Sequence, residues 1–209
     1  MNTANKIASS LLEIKAVKLS VTEPFTWASG WKSPIYCDNR KILSYPEIRK
    51  LVCDNFVAQI KKLYPDVQTI AGVATGAIAH GALVAEKLNL PFVYVRSAAK
   101  THGLENLIEG ELAANSKVVV IEDLISTGGS SIAAVEALRR ANADTLGLLA
   151  IFSYEFDMAA TNFNSVQCKF NTLSNYSTLL ETALECNYIK PDDLIALKKW
   201  REAPDKWGS

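Results

Sequence analysis

Apolar positions recur along this chain with two different periods. Ile7, Leu11, Ile14 and Val17 are three or four apart, which predicts an amphipathic helix over residues 3–19. Val118-Val119-Val120-Ile121 is instead an unbroken β-branched run, as expected of a parallel strand buried on both faces. Residues 117–121 are therefore read as a strand. Further strands are predicted at 69–73, 91–95 and 145–152, and helices at 78–88 and 131–141. Residues 46–64 read as a helix, with Pro46 in the first turn and Ser44 as its cap. Residues 23–40 read as short strands joined at Ser29-Gly30, and 175–186 and 192–201 as closing helices. Strands alternating with helices predict an α/β fold. Its central sheet would be mainly parallel and flanked by helices, with ligands at the C-terminal strand ends. Without repeats or a linker, residues 1–209 are expected to form a single domain.

Charge narrows the function. Lys plus Arg and Asp plus Glu are 22 each, so the basic excess of a nucleic-acid binder is missing. No apolar run approaches the ~20 residues of a membrane helix. Cys37, Cys53, Cys168 and Cys186 are scattered, without Cys-x-x-Cys spacing, as reduced thiols would be. Residues 1–6 lack a signal-peptide layout. The expectation is a cytoplasmic protein with no nucleic-acid or membrane partner.

The candidate chemistry begins where the apolar run ends. Glu122-Asp123 is followed by Leu124-Ile125-Ser126-Thr127-Gly128-Gly129-Ser130-Ser131 and then by a predicted helix. Backbone N–H groups at a helix N-terminus bind anions, and two glycines allow close approach. The acids would repel a bare phosphate. They suit sugar hydroxyls, a divalent cation, or positive charge developing in a transition state. Neither Gly-x-x-x-x-Gly-Lys-Ser/Thr nor a post-strand Gly-x-Gly-x-x-Gly is present. A second glycine-bearing turn, Ala74-Thr75-Gly76, lies between a strand and a helix. Between Val95 and Lys117 lie roughly 20 residues of little periodicity, long enough to expect a functional loop. They hold Arg96, Lys100 and His102. His80 falls on a packed helix and reads as structural.

The 118–131 segment resembles the phosphoribosyl-pyrophosphate (PRPP) motif of the type I phosphoribosyltransferases. The Arg96…Lys100-x-His102-Gly103 loop resembles the catalytic loop of orotate phosphoribosyltransferases. Phe25-Thr26, Ser29-Gly30 and Ser33-Pro34 resemble that family's N-terminal hood, here about residues 1–45. The resemblance implies the type I phosphoribosyltransferase fold and transfer of phosphoribose from PRPP to orotate, with Mg²⁺. It implies Lys100 as the catalytic lysine, assisted by Arg96 and His102. Glu122 and Asp123 would hold the ribose hydroxyls directly or through metal and water. Leu124, Ile125, Ser126, Thr127, Gly128, Gly129 and Ser130 would wrap the 5′-phosphate. Ser126, Tyr36 and Cys37 would line the orotate pocket. Ala74, Thr75 and Gly76 would form the pyrophosphate loop, with a cis peptide at Ala74–Thr75. It also implies a homodimer with shared active sites.

Three departures stand out. Ala28 and Ser97 replace basic residues of some relatives, and 153–156 lack an arginine found there in others. Orotate's carboxylate then falls to Lys32, Arg40 or backbone amides. A rival reading is a type I phosphoribosyltransferase that uses a purine base; the hood motif and the Lys-x-His-Gly loop argue against it. A PRPP-sensing regulator would need a DNA-binding module for which the chain has no spare length.

Overall fold

The computed structural model describes residues 2–27, 29–97 and 107–207. Helix α1 (Thr3–Glu13) is capped by the Asn2 side chain, which accepts the Asn5 N–H at 2.9 Å. It stops short of the predicted residue 19. Lys15 turns the chain at a φ of 54°, and Val17–Leu19 becomes strand β1. The apolar spacing misled because Ile14 and Val17 enter the same core as Ile7 and Leu11 although the backbone has changed. Three short strands follow: β2 (Phe25–Thr26), β3 (Lys32–Ser33) and β4 (Ile35–Cys37). β2 and β3 form an antiparallel hairpin, and β4 pairs with β1. Gly30 supplies the turn at a φ of 87°.

A 3₁₀ helix (Asn39–Ser44) leads into α2 (Pro46–Leu63). Ser44 is therefore not the cap of α2. Tyr45 takes that position, with no side-chain hydrogen bond. The core then alternates as expected, through β5 (Thr69–Val73), α3 (Ile78–Leu88), β6 (Phe92–Val95) and β7 (Ile108–Glu109). It continues with β8 (Lys117–Ile125), α4 (Gly129–Arg140), β9 (Asp144–Ser153), α5 (Asp157–Ser165) and β10 (Phe170–Asn175). Helices α6 (Tyr176–Glu185) and α7 (Asp193–Glu202) close it.

The six-stranded sheet has the order β10-β9-β8-β5-β6-β7, parallel except for β7. Its two faces bury separate cores. Val119 and Ile121 pack with α1, α2, α3, α6 and α7, while Val118 and Val120 pack with α4 and α5. That double burial is why β8 reads as an unbroken apolar run. The sequence reading missed the 3₁₀ helix, the two-residue β7, and two longer elements, α5 and β10. In α5 only Ala159 and Phe163 are buried, too few to show a helical stripe. β10 is an edge strand whose polar Asn171, Thr172 and Ser174 hide its period.

On the first core face, α7 inserts Trp200 among Trp27, Tyr154, Phe156 and Tyr176, with ring centroids 5.3–5.7 Å away. Trp200 is fully buried. Removing so large a ring leaves a cavity the neighbours cannot fill. Trp200→Ala should cost about 3–5 kcal/mol of stability, read as a lower midpoint in urea unfolding. A midpoint unchanged from the wild type would show that α7 does not brace this core.

Candidate functional site

Chain order reverses between β5 and β8: from β5 the chain moves out to β6, then returns to lay β8 on the other side. The crevice beyond the C-terminal ends of these two strands is the switch point where open α/β sheets hold ligands. Both motifs open into it. The loop 74–77 leaves β5, and residues 126–128 leave β8.

β8 runs on to Ile125, so the acid pair lies inside the strand and not in the loop after it. Its residues alternate between faces, and the alternation continues through Asp123. Glu122 follows Val118 and Val120 toward α4. It is 3% exposed, accepts the Ser131 hydroxyl at 2.8 Å, and takes the Asp123 N–H at 2.9 Å. Burial, reinforced by the Asp123 charge, pushes its carboxyl well above the usual range. Asp123 follows Val119 and Ile121 to the other side. Its carboxylate lies against Gly76, where any Cβ would collide with it. Two adjacent acids thus do different things: one is braced inside, one faces the crevice beside the 74–77 loop. The Ala74–Thr75 peptide in that loop is cis, as expected.

Gly128 starts α4 with a φ of 85° and packs on Phe163, so a side chain there would meet both backbone strain and the ring. Asn162 donates to the Thr127 carbonyl at 2.9 Å and pins the loop from α5. Gly129 and Ser130 stand exposed at the helix start, where first-turn N–H groups lack intrahelical partners. The turn is open to an anion.

The hood hairpin closes one wall. A cavity of about 240 Å³ is lined by Thr26, Trp27, Tyr36, Cys37, Leu124, Ser126 and Tyr154. It joins the hood to the end of β8. Burial, then the Asp123 and Asp38 charges, push the Cys37 thiol up, so it stays neutral. Trp27 and Tyr154 stack at 5.1 Å. Sequence reading missed Thr26, Trp27 and Tyr154 as lining residues. Tyr154 directly follows β9, a position where such sheets place ligand contacts, and that was the available signal.

Asn39 was also missed. It is buried, donates to the Asp123 carbonyl at 2.6 Å, and accepts from the Cys37 thiol at 3.4 Å. His80 on α3 is buried beside it and bonds to the Asn39 backbone; burial holds its pKa down. Hood, acid pair and α3 therefore meet at one residue, Asn39.

The predicted cations are placed unevenly. Arg96 is half-buried, 3.4 Å from Glu109. It follows Val95, whose carbonyl accepts the Ala74 N–H at 2.8 Å, so this stretch departs beside the 74–77 loop. Lys100 and His102, like Ala28, lie outside the described residues. Arg40 pairs with Asp38 at 2.7 Å, and the Lys32 ammonium donates to the Thr26 hydroxyl at 2.8 Å.

Comparison with known proteins agrees with this geometry. Residues 41–175 match the model of the phosphoribosyl transferase domain. The chain is 56% identical, over 100% of both lengths, to a Porphyromonas gingivalis protein named orotate phosphoribosyltransferase. Its fold superposes on the Leishmania donovani UMP synthase with a TM-score of 0.79 at 28% identity, covering 95% of this chain and 43% of that longer one. The orotate phosphoribosyltransferase from Aeropyrum pernix gives a TM-score of 0.76 at 24% identity, covering 88% of this chain and 99% of that one.

Glu122 allows a test of the braced-acid geometry. Its folded pKa lies above the ordinary 4.5, so the native state holds the proton more tightly than the unfolded chain. Stability from this group is fully present below pH 4.5 and is lost as pH rises through the folded value. Glu122→Gln cannot ionise and escapes that loss. Calorimetry of the ligand-free protein should show the Tm of the variant gaining on the wild type as pH rises from 4 toward neutrality, about a 1.4 kcal/mol advantage per pH unit at most. A gap that stays constant with pH would contradict the burial described.

Proposed function

This chain belongs to the orotate phosphoribosyltransferases of the phosphoribosyl transferase family, and we infer that it transfers the 5-phosphoribosyl group from PRPP to orotate. The products are orotidine 5′-monophosphate (OMP) and pyrophosphate, a step of de novo pyrimidine synthesis. One observation carries the reading. At the switch point a helix-start anion turn, an acid set against a second loop, and an aromatic cavity closed by Ser126 share one crevice.

The roles follow the chemistry. Leu124 to Ser130 wrap the 5′-phosphate, chiefly through backbone N–H groups at the start of α4. Asp123 holds the ribose hydroxyls directly. Glu122 serves them from behind, through the Asp123 N–H it fixes and through water. Ala74, Thr75 and Gly76 take the pyrophosphate. Tyr36, Cys37 and Ser126 line the base pocket, where the planar base lies against aromatic walls. As the C1–oxygen bond loosens, the ribose gains oxocarbenium character while charge builds on the leaving pyrophosphate. Lys100 places positive charge there, assisted by Arg96 and His102. The ring nitrogen of orotate then bonds to C1 from the opposite face, its proton passing to solvent while the C1–oxygen electron pair leaves with pyrophosphate.

Mg²⁺ fits this donor set as a substrate-borne ion. Among the described residues no three His, Cys, Asp or Glu side chains gather into a cation cage. Asp123 offers a part-exposed carboxylate at the crevice, while both Glu122 oxygens already accept hydrogen bonds. Pyrophosphate and ribose oxygens would supply most ligands, with Asp123 beside them. When bound, the ion neutralises leaving-group charge. The chain acts as a single domain, its hood spanning about residues 1–45. It works in the cytoplasm as a homodimer with shared active sites.

Three measurements address this. Orotate should be consumed with PRPP and Mg²⁺ in an absorbance assay, while adenine, hypoxanthine and uracil should not; no loss of orotate would end the proposal. Lys100→Ala should lower kcat at least about 100-fold and leave PRPP binding by calorimetry within a few-fold. Full turnover would mean that another cation serves the pyrophosphate. Mixing inactive Lys100→Ala with inactive Asp123→Asn should restore part of the activity if sites are shared across a dimer, and none if each chain is self-sufficient.

A further inference from the structure

Orotate is uracil with a carboxylate, so a site that prefers it must meet a negative charge at one edge of the base. The inference below rests on the orotate reading above. None of the seven residues lining the base cavity carries a positive charge. The local field is the wrong sign: the charges of Asp123 and Asp38 both reach Cys37 in the cavity wall. A carboxylate entering unaided would be repelled. Some nearby cation must compensate.

Three described hood cations lie beside the cavity strands, and the structure separates them. Lys18 stands opposite Tyr36 in the β1–β4 pair, but no hydrogen bond among the described residues ties it to a cavity residue. Arg40 is already neutralised. Its Nε lies 2.7 Å from Asp38 Oδ1, and that oxygen also accepts the Arg40 backbone N–H. Recruiting it would break that pair. Lys32 has no carboxylate partner among the described residues. In the hairpin, Lys32 of β3 stands directly opposite Thr26 of β2. Directly opposite residues project from the same face of a two-stranded ribbon. Thr26 lines the cavity, and the Lys32 ammonium donates to its hydroxyl at 2.8 Å. An ammonium has three N–H donors, so two remain for a ligand.

The hairpin that carries Lys32 is also held in place. The Trp27 N–H donates to the Trp31 carbonyl at 2.9 Å, and Gly30 N–H returns to Trp27 at 2.8 Å. Trp27 Nε1 donates to the Ile35 carbonyl at 3.0 Å, tying the hairpin to β4. Ser33, next to Lys32, is buried and its hydroxyl donates to the Ile35 carbonyl at 2.8 Å. The backbone under Lys32 is thus fixed before a ligand arrives, so binding need order only its side chain.

We propose that Lys32, steered by the Thr26 hydroxyl at the cavity edge, binds the orotate carboxylate and determines specificity for orotate over uncarboxylated pyrimidines. The products provide the cleanest probes, because OMP and uridine 5′-monophosphate (UMP) differ only by that carboxylate. In calorimetric titrations of the full chain, Lys32→Ala should weaken OMP about ten- to a hundredfold, the usual range for losing a charged hydrogen bond. UMP affinity should stay within about twofold, which also shows that the hood remains folded. Lys32→Gln should show the same selective loss, Lys32→Arg should recover most of it, and the KM for orotate should follow OMP. An unchanged OMP-to-UMP ratio overturns the proposal, as does a selective loss in Arg40→Ala in place of Lys32→Ala. If the wild type does not consume orotate, the proposed function fails and this assignment with it. A wild type that consumes orotate beside an unchanged ratio removes Lys32 alone.

Discussion

A strand cannot send two consecutive side chains to the same face, and the site is organised by that constraint at the end of β8. Four apolar residues fix which face is which, since Val118 and Val120 are locked in one core and Val119 and Ile121 in the other. Glu122 and Asp123 inherit that alternation. A slip of one residue would place the braced acid in the crevice and drive Asp123 under α4. The orientation of the acid pair is thus fixed by hydrophobic burial several residues upstream.

The second half of the site adds a polar tie to its apolar packing. Asn39 joins the hood to the main chain of Asp123 through a part-buried 2.6 Å bond. A carbonyl shielded from water and left without its donor costs more than the bond itself contributes, so this amide links hood and sheet at the acid pair. Behind the hood, Tyr154 and Trp200 supply the apolar backing. Base recognition therefore draws on residues from β2, β4, β8 and the end of β9.

Much of this was legible in the sequence. The 69–73 and 78–88 elements match their predicted limits, because both are short, fully periodic and bounded by turns. Motif residues near 75 and 122–130 converge on one crevice because an alternating α/β order leaves little choice of where loops meet. What stayed hidden depended on distance in sequence. Asn39 carries no local signal of its role, because its partner is 84 positions away. Trp27 and Tyr154 are likewise far apart in sequence, and only the fold stacks them. The helix predicted through residue 19 failed for a subtler reason: burial on one core is compatible with either a helix or a strand, and only the break at Lys15 decides.

The contact between Trp27 and Trp200 joins nearly opposite ends of the chain. During synthesis the N-terminal hood leaves the ribosome long before α7 exists. Until α7 arrives, the sheet face that carries Val119 and Ile121 lacks part of its cover, and the hood lacks its aromatic backing. A chain stalled before α7 would carry a phosphate turn beside a cavity whose Trp27 wall has lost the support of Trp200.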